Sequence, residues 1–314
     1  MKKFFLKLFL FLAVLYAVLL GIDYFYTKKL KNIHLGKASY VINIRNKHLD
    51  YVVGGSSRVH NNFNTNLFDS LTGTTGYNIG YTGSGIAQNY ITLYLFLKNG
   101  NTTKNYIQQV DEAGLSKIAF NHPFYEYFFM HYLSHDENVD RFYKSNVSYR
   151  RYLTWKYFPA MKYLEYNNYC RLSNIITNKG VPAEEIKNKG YDELEAKHSE
   201  SFPPKSYPAV NSEYELDTLS VYYLYQINKL CKEHGVNYIC YTSPVHPASY
   251  LSYKPANLKV ALQNYLSSCK IQYYNFALEK KFDGDSLFYD ESHLNSTGTN
   301  IFTQQLALTI KQAL

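Results

Sequence analysis

Short apolar runs that end in turn residues recur along the chain and predict the strands of a buried parallel sheet. They are LDYVVGG (49–55), GYNIG (76–80), LSKIAFNHP (115–123), VNYICYTSP (236–244) and IQYYNF (271–276). Stretches of helical character lie between or after them, at 85–100, 216–235, 257–269 and 299–314. Repeated alternation of strand and helix is typical of a doubly wound sheet. We therefore expect an α/β fold built on five parallel strands.

Residues 124–214 break this alternation. The segment is rich in Tyr, Phe and Asn and ends in SFPPKSYP. We interpret it as a mostly helical insertion after the third predicted strand, within an α/β domain that covers residues 28–314. Tyrosine can bury its ring while keeping one polar tip in water, so the 34 tyrosines by themselves indicate no ligand.

The first residues of the chain, 1–27, predict a membrane anchor. An apolar stretch at 8–22 follows a lysine-rich start, and it extends to 4–26 if the polar residues near its ends reach the interface. A cleaved signal peptide has a similar start, but no small-x-small cleavage site follows Ala17. An uncleaved single-pass anchor is therefore favoured. Because basic residues near an anchor tend to stay inside, we expect most of the chain to be extracytoplasmic, periplasmic or at the cell surface.

Composition and charge restrict the function only slightly. The chain has 314 residues, of which 46% are hydrophobic, as in a folded protein with one large core. Its net charge is +8, but the lysines are scattered, so no nucleic-acid partner is predicted. The four cysteines form neither a CxxC pair nor a metal-ligand spacing. We predict no metal and no other cofactor, and the disulfide state stays open.

The first predicted strand ends in a turn that contains Gly54, Gly55, Ser56 and Ser57. In a doubly wound sheet, functional groups gather at the carboxyl ends of the strands, near the switch in strand order. Glycine allows a sharp turn that presents the next residue there, close to a helix N-terminus. A serine in this place can also be a helix cap, and the turn taken alone favours that role.

The pattern Asp290-x-x-His293 lies after the last predicted strand and just before the final helix. A serine hydroxyl becomes a strong nucleophile when an imidazole takes its proton and a carboxylate orients the imidazole. The same pattern alone would also suit a helix cap or a turn. Combined with the serine turn after the first strand, it predicts a triad of Ser57, Asp290 and His293, with His293 within hydrogen-bond reach of both partners.

These motifs resemble those of the SGNH (GDSL-like) hydrolase superfamily, particularly its membrane-anchored members linked to acylation of cell-envelope polymers. Gly55-Ser56-Ser57 matches the first block of the family, and Asp290 with His293 matches the last. The resemblance implies a flavodoxin-like sheet of the SGNH type, with Ser57 as the nucleophile. It covers nearly everything from residue 48 onward apart from the insertion.

The resemblance also implies an oxyanion hole made by the backbone N–H groups of Ser57 and Gly80 and by the side chain of Asn121. Gly80 matches the second block of the family. The third block, Gly-x-Asn-Asp, is absent, and Asn121 in IAFNHPF is the nearest match. Losing one oxyanion donor typically costs about 10²–10³ in rate. Slow turnover is therefore an alternative to fast ester hydrolysis.

Two further residues near the same edge of the sheet are candidate substrate contacts. Arg58 could hold an anionic group of a substrate, or pair with a carboxylate of the protein. His246 follows the fourth predicted strand, and it could touch the substrate or be a turn residue between two prolines.

The sequence thus predicts a serine esterase or O-acyltransferase that acts on an acylated envelope carbohydrate or polymer through an acyl-enzyme on Ser57. Water as the acceptor gives a hydrolase, and a sugar hydroxyl gives a transferase. The alternative is a catalytically weak binding or scaffold protein of the SGNH fold that partners a membrane-bound O-acyltransferase.

Overall fold

The computed structural model describes residues 1–31, 37–115, 123–165, 171–177, 188–195, 215–247 and 256–314. The chain divides into two compact units. The N-terminal unit comprises Met1–Asn43 and Pro123–Val181, and the sheet unit comprises Ile44–His122 and Pro182–Leu314. The domain bounds expected from the sequence, at residues 27, 124 and 214, stay a prediction.

The sheet unit is built on five parallel strands. They are β1 (His48–Gly54), β2 (Gly76–Asn78), β3 (Thr102–Gln109), β4 (Asn237–Thr242) and β5 (Gln272–Asn275). Their order in the sheet is β2-β1-β3-β4-β5, and every neighbouring pair is parallel. This is the order of flavodoxin-like doubly wound sheets, in which the switch point lies between β1 and β3. The predicted fold class is confirmed.

Helices of both units carry one series of labels. In chain order they are α1 (Lys2–Leu30), α2 (Lys37–Asn43), α3 (Ser57–His60), α4 (Thr65–Thr72), α5 (Ile86–Lys98), α6 (Glu137–Asn146), α7 (Tyr149–Tyr157), α8 (Met161–Glu165), α9 (Leu172–Ile176), α10 (Thr218–Glu233), α11 (Ala256–Ser268) and α12 (Ser296–Ile310). Short 3-10 helices cover Ala113–Leu115, Pro123–Tyr132, Lys280–Phe282, Asp285–Leu287 and Lys311–Ala313. The four helices predicted from periodicity correspond to α5, α10, α11 and α12.

The third strand of the sheet was missed from the sequence. This strand is β3, TTKNYIQQ. The apolar run at 115–123, predicted as the third strand, lies outside the described residues from 116 to 122. The amide side chains of β3 are buried and bond to other strands. Asn105 donates to a main-chain oxygen of β1 at 2.9 Å, and Gln108 accepts from the Tyr238 hydroxyl at 2.8 Å. Such positions look polar in a sequence although they lie in the core.

One face of the sheet packs against α12 and forms a core that reaches the candidate site. Alternate residues of the central strands point into it, among them Tyr51 and Val53 of β1. Residues of α12 spaced by four positions, such as Phe302 and Leu306, meet them. The same core holds the buried side chain of Leu294, next to the predicted catalytic histidine.

The N-terminal unit contains α1, a continuous helix of 29 residues. Within the described residues, α1 alone is long and apolar enough to cross a membrane. Most of its large apolar side chains from Phe4 to Ile22 are exposed, whereas Tyr26, Thr27 and Leu30 are buried in the unit. The described part of the predicted insertion up to residue 177 is mainly helical, as expected.

Candidate active site

The turn after β1 requires glycine and leaves Ser57 at the start of α3. Gly55 has φ +154°, and a Cβ there would lie 2.4 Å from Val59 Cγ2. Ser56 is the N-cap of α3, because its Oγ accepts the Arg58 backbone N–H at 3.3 Å. The capping role therefore belongs to Ser56, and Ser57 Oγ is available for another partner.

That partner is the imidazole of His293. Ser57 Oγ lies 2.7 Å from His293 Nε2, across a sequence separation of 236 residues. His293 Nδ1 lies 2.9 Å from each carboxylate oxygen of Asp290. Because the carboxylate can only accept, Nδ1 carries the proton and Nε2 is left to accept the Ser57 O–H. The structure thus brings the three residues together in the predicted relay.

Asp290 is held in its ionised form. Burial raises its pKa, but the hydrogen bond and charge of His293 lower it, as do the backbone N–H groups of Ser292 and His293, at 2.7 and 2.9 Å. These effects outweigh burial, so the pKa lies below the ordinary value of 3.8. At neutral pH a carboxylate therefore faces the imidazole.

The loop that carries Asp290 and His293 is fixed on both sides. Phe288 and Leu294 form an antiparallel bridge, and both are buried in the core. The Leu294 N–H donates to Asn62 Oδ1 at 3.1 Å. Asn62 lies just past the end of α3, so this bond ties the histidine loop to the segment that bears the nucleophile.

His246 supports the same loop. Its ring packs edge-on against Phe288 with 5.2 Å between ring centroids, and its Nε2 lies 2.8 Å from Asp285 Oδ1. Its backbone N–H donates to the Glu291 carbonyl at 3.3 Å. The ring is buried in these contacts. This geometry fits a turn residue that positions the loop better than it fits a substrate contact.

Both terminal nitrogens of the Arg58 guanidinium bond to groups of the protein itself. Nη1 is ion-paired with Asp111, and Nη2 donates to the carbonyls of Ser243 and Pro244 at 2.7 and 2.8 Å. This geometry fits the alternative interpretation, a pair with a carboxylate of the protein, better than it fits a substrate contact. Asp111 follows β3, and Ser243 follows β4. Arg58 thus connects the nucleophile turn to the ends of two neighbouring strands.

The structure describes two of the three predicted oxyanion donors, Ser57 and Gly80. Ser57, the first residue of α3, has a backbone N–H without an acceptor inside the helix. The Gly80 N–H, in contrast, donates to Asn78 Oδ1 at 3.0 Å, so this predicted donor is already used. The glycine is still needed for packing, since a Cβ there would lie 2.7 Å from Val59 Cβ. Asn121 lies outside the described residues.

Sequence reasoning missed two buried amides that hold this edge of the sheet together. Asn78 donates to the Val59 carbonyl at 2.7 Å and accepts the Gly80 N–H. Gln109, the last residue of β3, accepts from the Ser56 hydroxyl at 3.2 Å. A polar residue at the end of the predicted strand YNIG is the signal that points to Asn78. Gln109 lies at the end of β3, a strand that was missed, so no corresponding signal in the sequence points to it.

Among the residues that the structure describes, no group of three or more His, Cys, Asp or Glu side chains is placed to hold a metal ion. The expectation that the protein works without a cofactor stays a prediction. Cys231 and Cys240 are free and buried, and burial raises the pKa of both thiols, which makes them poor nucleophiles at neutral pH.

Comparison with solved structures gives distant matches. No family model and no curated protein matches the chain. A protein designated an acylhydrolase from Bacteroides fragilis NCTC 9343 covers 84% of this chain and 88% of its own, with 14% identity and a TM-score of 0.39. A GDSL-like lipase from Bacteroides thetaiotaomicron VPI-5482 covers 86% and 90%, with 12% identity and a TM-score of 0.41.

Likenesses this distant carry no argument about activity, which has to be inferred from the site itself. The relay of Ser57, His293 and Asp290 lies at the carboxyl end of β1, next to the switch point of the sheet. In its strand order and in these three residues, the chain resembles the SGNH (GDSL-like) hydrolases.

Proposed function

We propose that this chain is a serine-dependent acyl-ester hydrolase or O-acyltransferase with Ser57 as its nucleophile. The observation that carries the proposal is the continuous hydrogen-bonded relay from Ser57 Oγ through His293 to Asp290. A helix cap or a structural serine needs no imidazole at 2.7 Å whose other nitrogen faces a carboxylate. A carboxylate faces Nδ1 and the Ser57 hydroxyl faces Nε2, which is the arrangement that general base catalysis requires.

The first half of the proposed reaction forms an acyl-enzyme. Ser57 Oγ attacks the carbonyl carbon of an acyl ester while its proton passes to His293 Nε2. Asp290 stays ionised and stabilises the imidazolium through the Nδ1–H bond. The bond between the carbonyl carbon and the leaving oxygen then breaks, and the alcohol departs with the proton from Nε2. The acyl group is left as an ester of Ser57.

The second half differs only in the acceptor. Water or a sugar hydroxyl gives its proton to His293 Nε2 and attacks the acyl carbon, and Ser57 Oγ leaves with that proton. Water releases a carboxylic acid, whereas a sugar hydroxyl yields a new ester. The choice of an envelope carbohydrate or polymer comes from the resemblance and from the predicted anchor. Product analysis by mass spectrometry, with and without an added oligosaccharide acceptor, distinguishes the two outcomes.

A second candidate function is favoured by the engagement of Gly80. With its N–H bonded to Asn78, one predicted donor is withheld from the oxyanion, and a lost donor typically costs about 10²–10³ in rate. Slow turnover would suit a binding or scaffold protein that partners a membrane-bound O-acyltransferase. The binding or scaffold function is favoured over catalysis if the folded wild-type chain does not react with an activated acyl-mimetic probe.

The experiment is fluorophosphonate labelling of the full-length chain in detergent. We expect the wild type to label, Ser57→Ala to lose all labelling and Ser56→Ala to keep most of it. Adjacent serines make a matched pair, since the Ser56 hydroxyl provides a cap of α3, worth about 0.5–2 kcal/mol, and donates to Gln109 rather than to the relay. Labelling that survives in Ser57→Ala, or that is lost equally in both variants, would contradict the assignment of the nucleophile.

The membrane anchor belongs to the same proposal. The helix α1 runs without a break from its apolar stretch into the buried residues Tyr26, Thr27 and Leu30, which favours an uncleaved segment. We expect the mature protein to keep its N-terminus and to stay in the membrane fraction through a carbonate wash. N-terminal sequencing that starts after residue 20 would instead indicate a signal peptide.

A further inference from the structure

The N-terminal unit exposes an apolar patch on α7, α8, α9 and the turn between α7 and α8. Its six large side chains are each 40–58% exposed: Tyr157, Phe158, Met161, Leu164, Leu172 and Ile176. Clustered exposure of this kind marks a surface that is covered in the working protein. The question is what covers it.

Hydrogen bonds to α1 fix the position of this apolar patch along the axis of that helix. The Tyr16 hydroxyl donates to the Tyr157 carbonyl at 3.4 Å, and the Ala160 N–H donates to Asp23 Oδ1 at 3.1 Å. The turn between α7 and α8 therefore runs alongside residues 16–23 of α1. At 1.5 Å per residue, Tyr16 lies about 9 Å before Ile22, where the continuous apolar stretch ends.

A patch beside residues 16–23 of α1 lies at the depth of a segment in the membrane interface, not of a surface in water. If the apolar stretch of α1 spans the hydrocarbon core, the patch begins at the interface and descends about 9 Å toward the bilayer centre. Segments that lie in the plane of a membrane bury their apolar face by about 5–10 Å. The exposed Tyr24 and the neighbouring Lys28 lie just beyond Ile22 on α1, where aromatic and basic residues meet the lipid headgroups.

An open apolar cavity lies between α1 and the patch. It has a volume of about 480 Å³, and its lining includes Val18, Gly21 and Ile22 of α1, Leu164 of α8 and Leu172 of α9. A Cβ on Gly21 would meet no atom within 4 Å, so nothing from the described protein fills the space beside it. The cavity is lined almost entirely by apolar atoms, as a hydrocarbon chain requires.

We propose that the patch is a second membrane contact, immersed in the leaflet in which α1 ends, and that the cavity holds an acyl chain of a lipid from that leaflet. Lipid is the favoured occupant because the hydrogen bonds hold the patch beside the apolar stretch of α1, where acyl chains surround the protein. The proposal rests on the membrane anchor and is independent of catalysis by Ser57.

The test places a tryptophan at single sites of the full-length chain in nanodiscs made with brominated phospholipid, which quenches only groups among the acyl chains. Phe158→Trp and Leu172→Trp probe the patch, Phe11→Trp is the positive control in α1, and Lys144→Trp on α6 is a water-exposed control. The native Trp155 is buried and gives a constant background that is subtracted with the wild type. Aqueous iodide is the opposing quencher.

We expect both patch variants to lose most of their added fluorescence in brominated lipid and to resist iodide, with Lys144→Trp behaving in the opposite way. Quenching of Phe11→Trp by lipid together with iodide access at both patch sites would overturn the patch while leaving the anchor intact. Loss of lipid quenching in Phe11→Trp itself would overturn both. Patch sites reached by neither quencher would show that protein covers them, which also overturns the assignment to lipid.

Discussion

Replacing Arg58 with alanine should destabilise the sheet unit severely, because the residue holds three acceptors at once. The side chains of Arg58 and Asp111 are only 11% and 19% exposed. Removal of the guanidinium leaves a largely buried carboxylate without its partner, and the carbonyls of Ser243 and Pro244 lose a donor. Breaking a buried ion pair from one side costs about 3–5 kcal/mol. We expect a loss of about this size for Arg58→Ala.

The measurement is urea unfolding followed by far-UV circular dichroism, combined with the rate of fluorophosphonate labelling. Arg45→Ala is the matched control, since this exposed arginine also bonds one side chain, Asn99, at 2.7 Å, and it should cost less than about 1 kcal/mol. The double variant Arg58→Ala/Asp111→Ala should recover part of the lost stability, because no unpaired carboxylate remains. Labelling should slow in Arg58→Ala, since α3 and Ser57 lose their tie to β3 and β4.

A small change in stability would refute this reasoning. If Arg58→Ala costs less than about 1 kcal/mol and mainly raises KM for an anionic ester, the residue contacts substrate as first considered, and the bonds to Asp111 and the two carbonyls contribute little. A double variant that is no more stable than the single one would show that the pair is not coupled.

Three further predictions concern titratable groups. Asp290→Asn should lower kcat by about 10⁴ with little change in KM, because an amide favours the wrong imidazole tautomer. Burial, with nearby lysines, lowers the pKa of His131 to about 3, so the native state lacks a proton that the unfolded state binds below pH 6.5. Stability of the N-terminal unit, followed by Trp155 fluorescence, should therefore fall on acidification by about 1.4 kcal/mol per pH unit between these values. His131→Gln should flatten this slope. Burial raises the pKa of Glu112 above its ordinary value of 4.5. The native state therefore holds this proton more tightly than the unfolded state, and stability is lost as pH rises from 4.5 through the raised pKa. Glu112→Gln should stabilise the protein at pH 7 but not below pH 4.5.

The parts of this protein that depend on local pattern were predictable from the sequence. Apolar runs and 3.6-residue periodicity identified β1, β2, β4 and β5 and the helices between them, because a strand buried on both faces must be apolar. The turn at Gly55 was predictable because close packing and a positive φ leave few residue types. The triad followed from two short motifs, although its geometry did not.

The remaining features depend on partners that are remote in sequence. The strand β3 was missed because its buried amides bond to neighbouring strands, and no such bond is visible in TTKNYIQQ. Arg58 could equally have met a substrate, until folding brought Asp111 and Ser243, 53 and 185 residues away, to its guanidinium. The Gly80 N–H, predicted as an oxyanion donor, instead donates to Asn78, two residues away. The Asn78 side chain is oriented by its own bond to the Val59 carbonyl. Residue types and spacing determine which groups are present, whereas the sheet decides which groups meet, because a hydrogen bond depends on distances that tertiary packing sets.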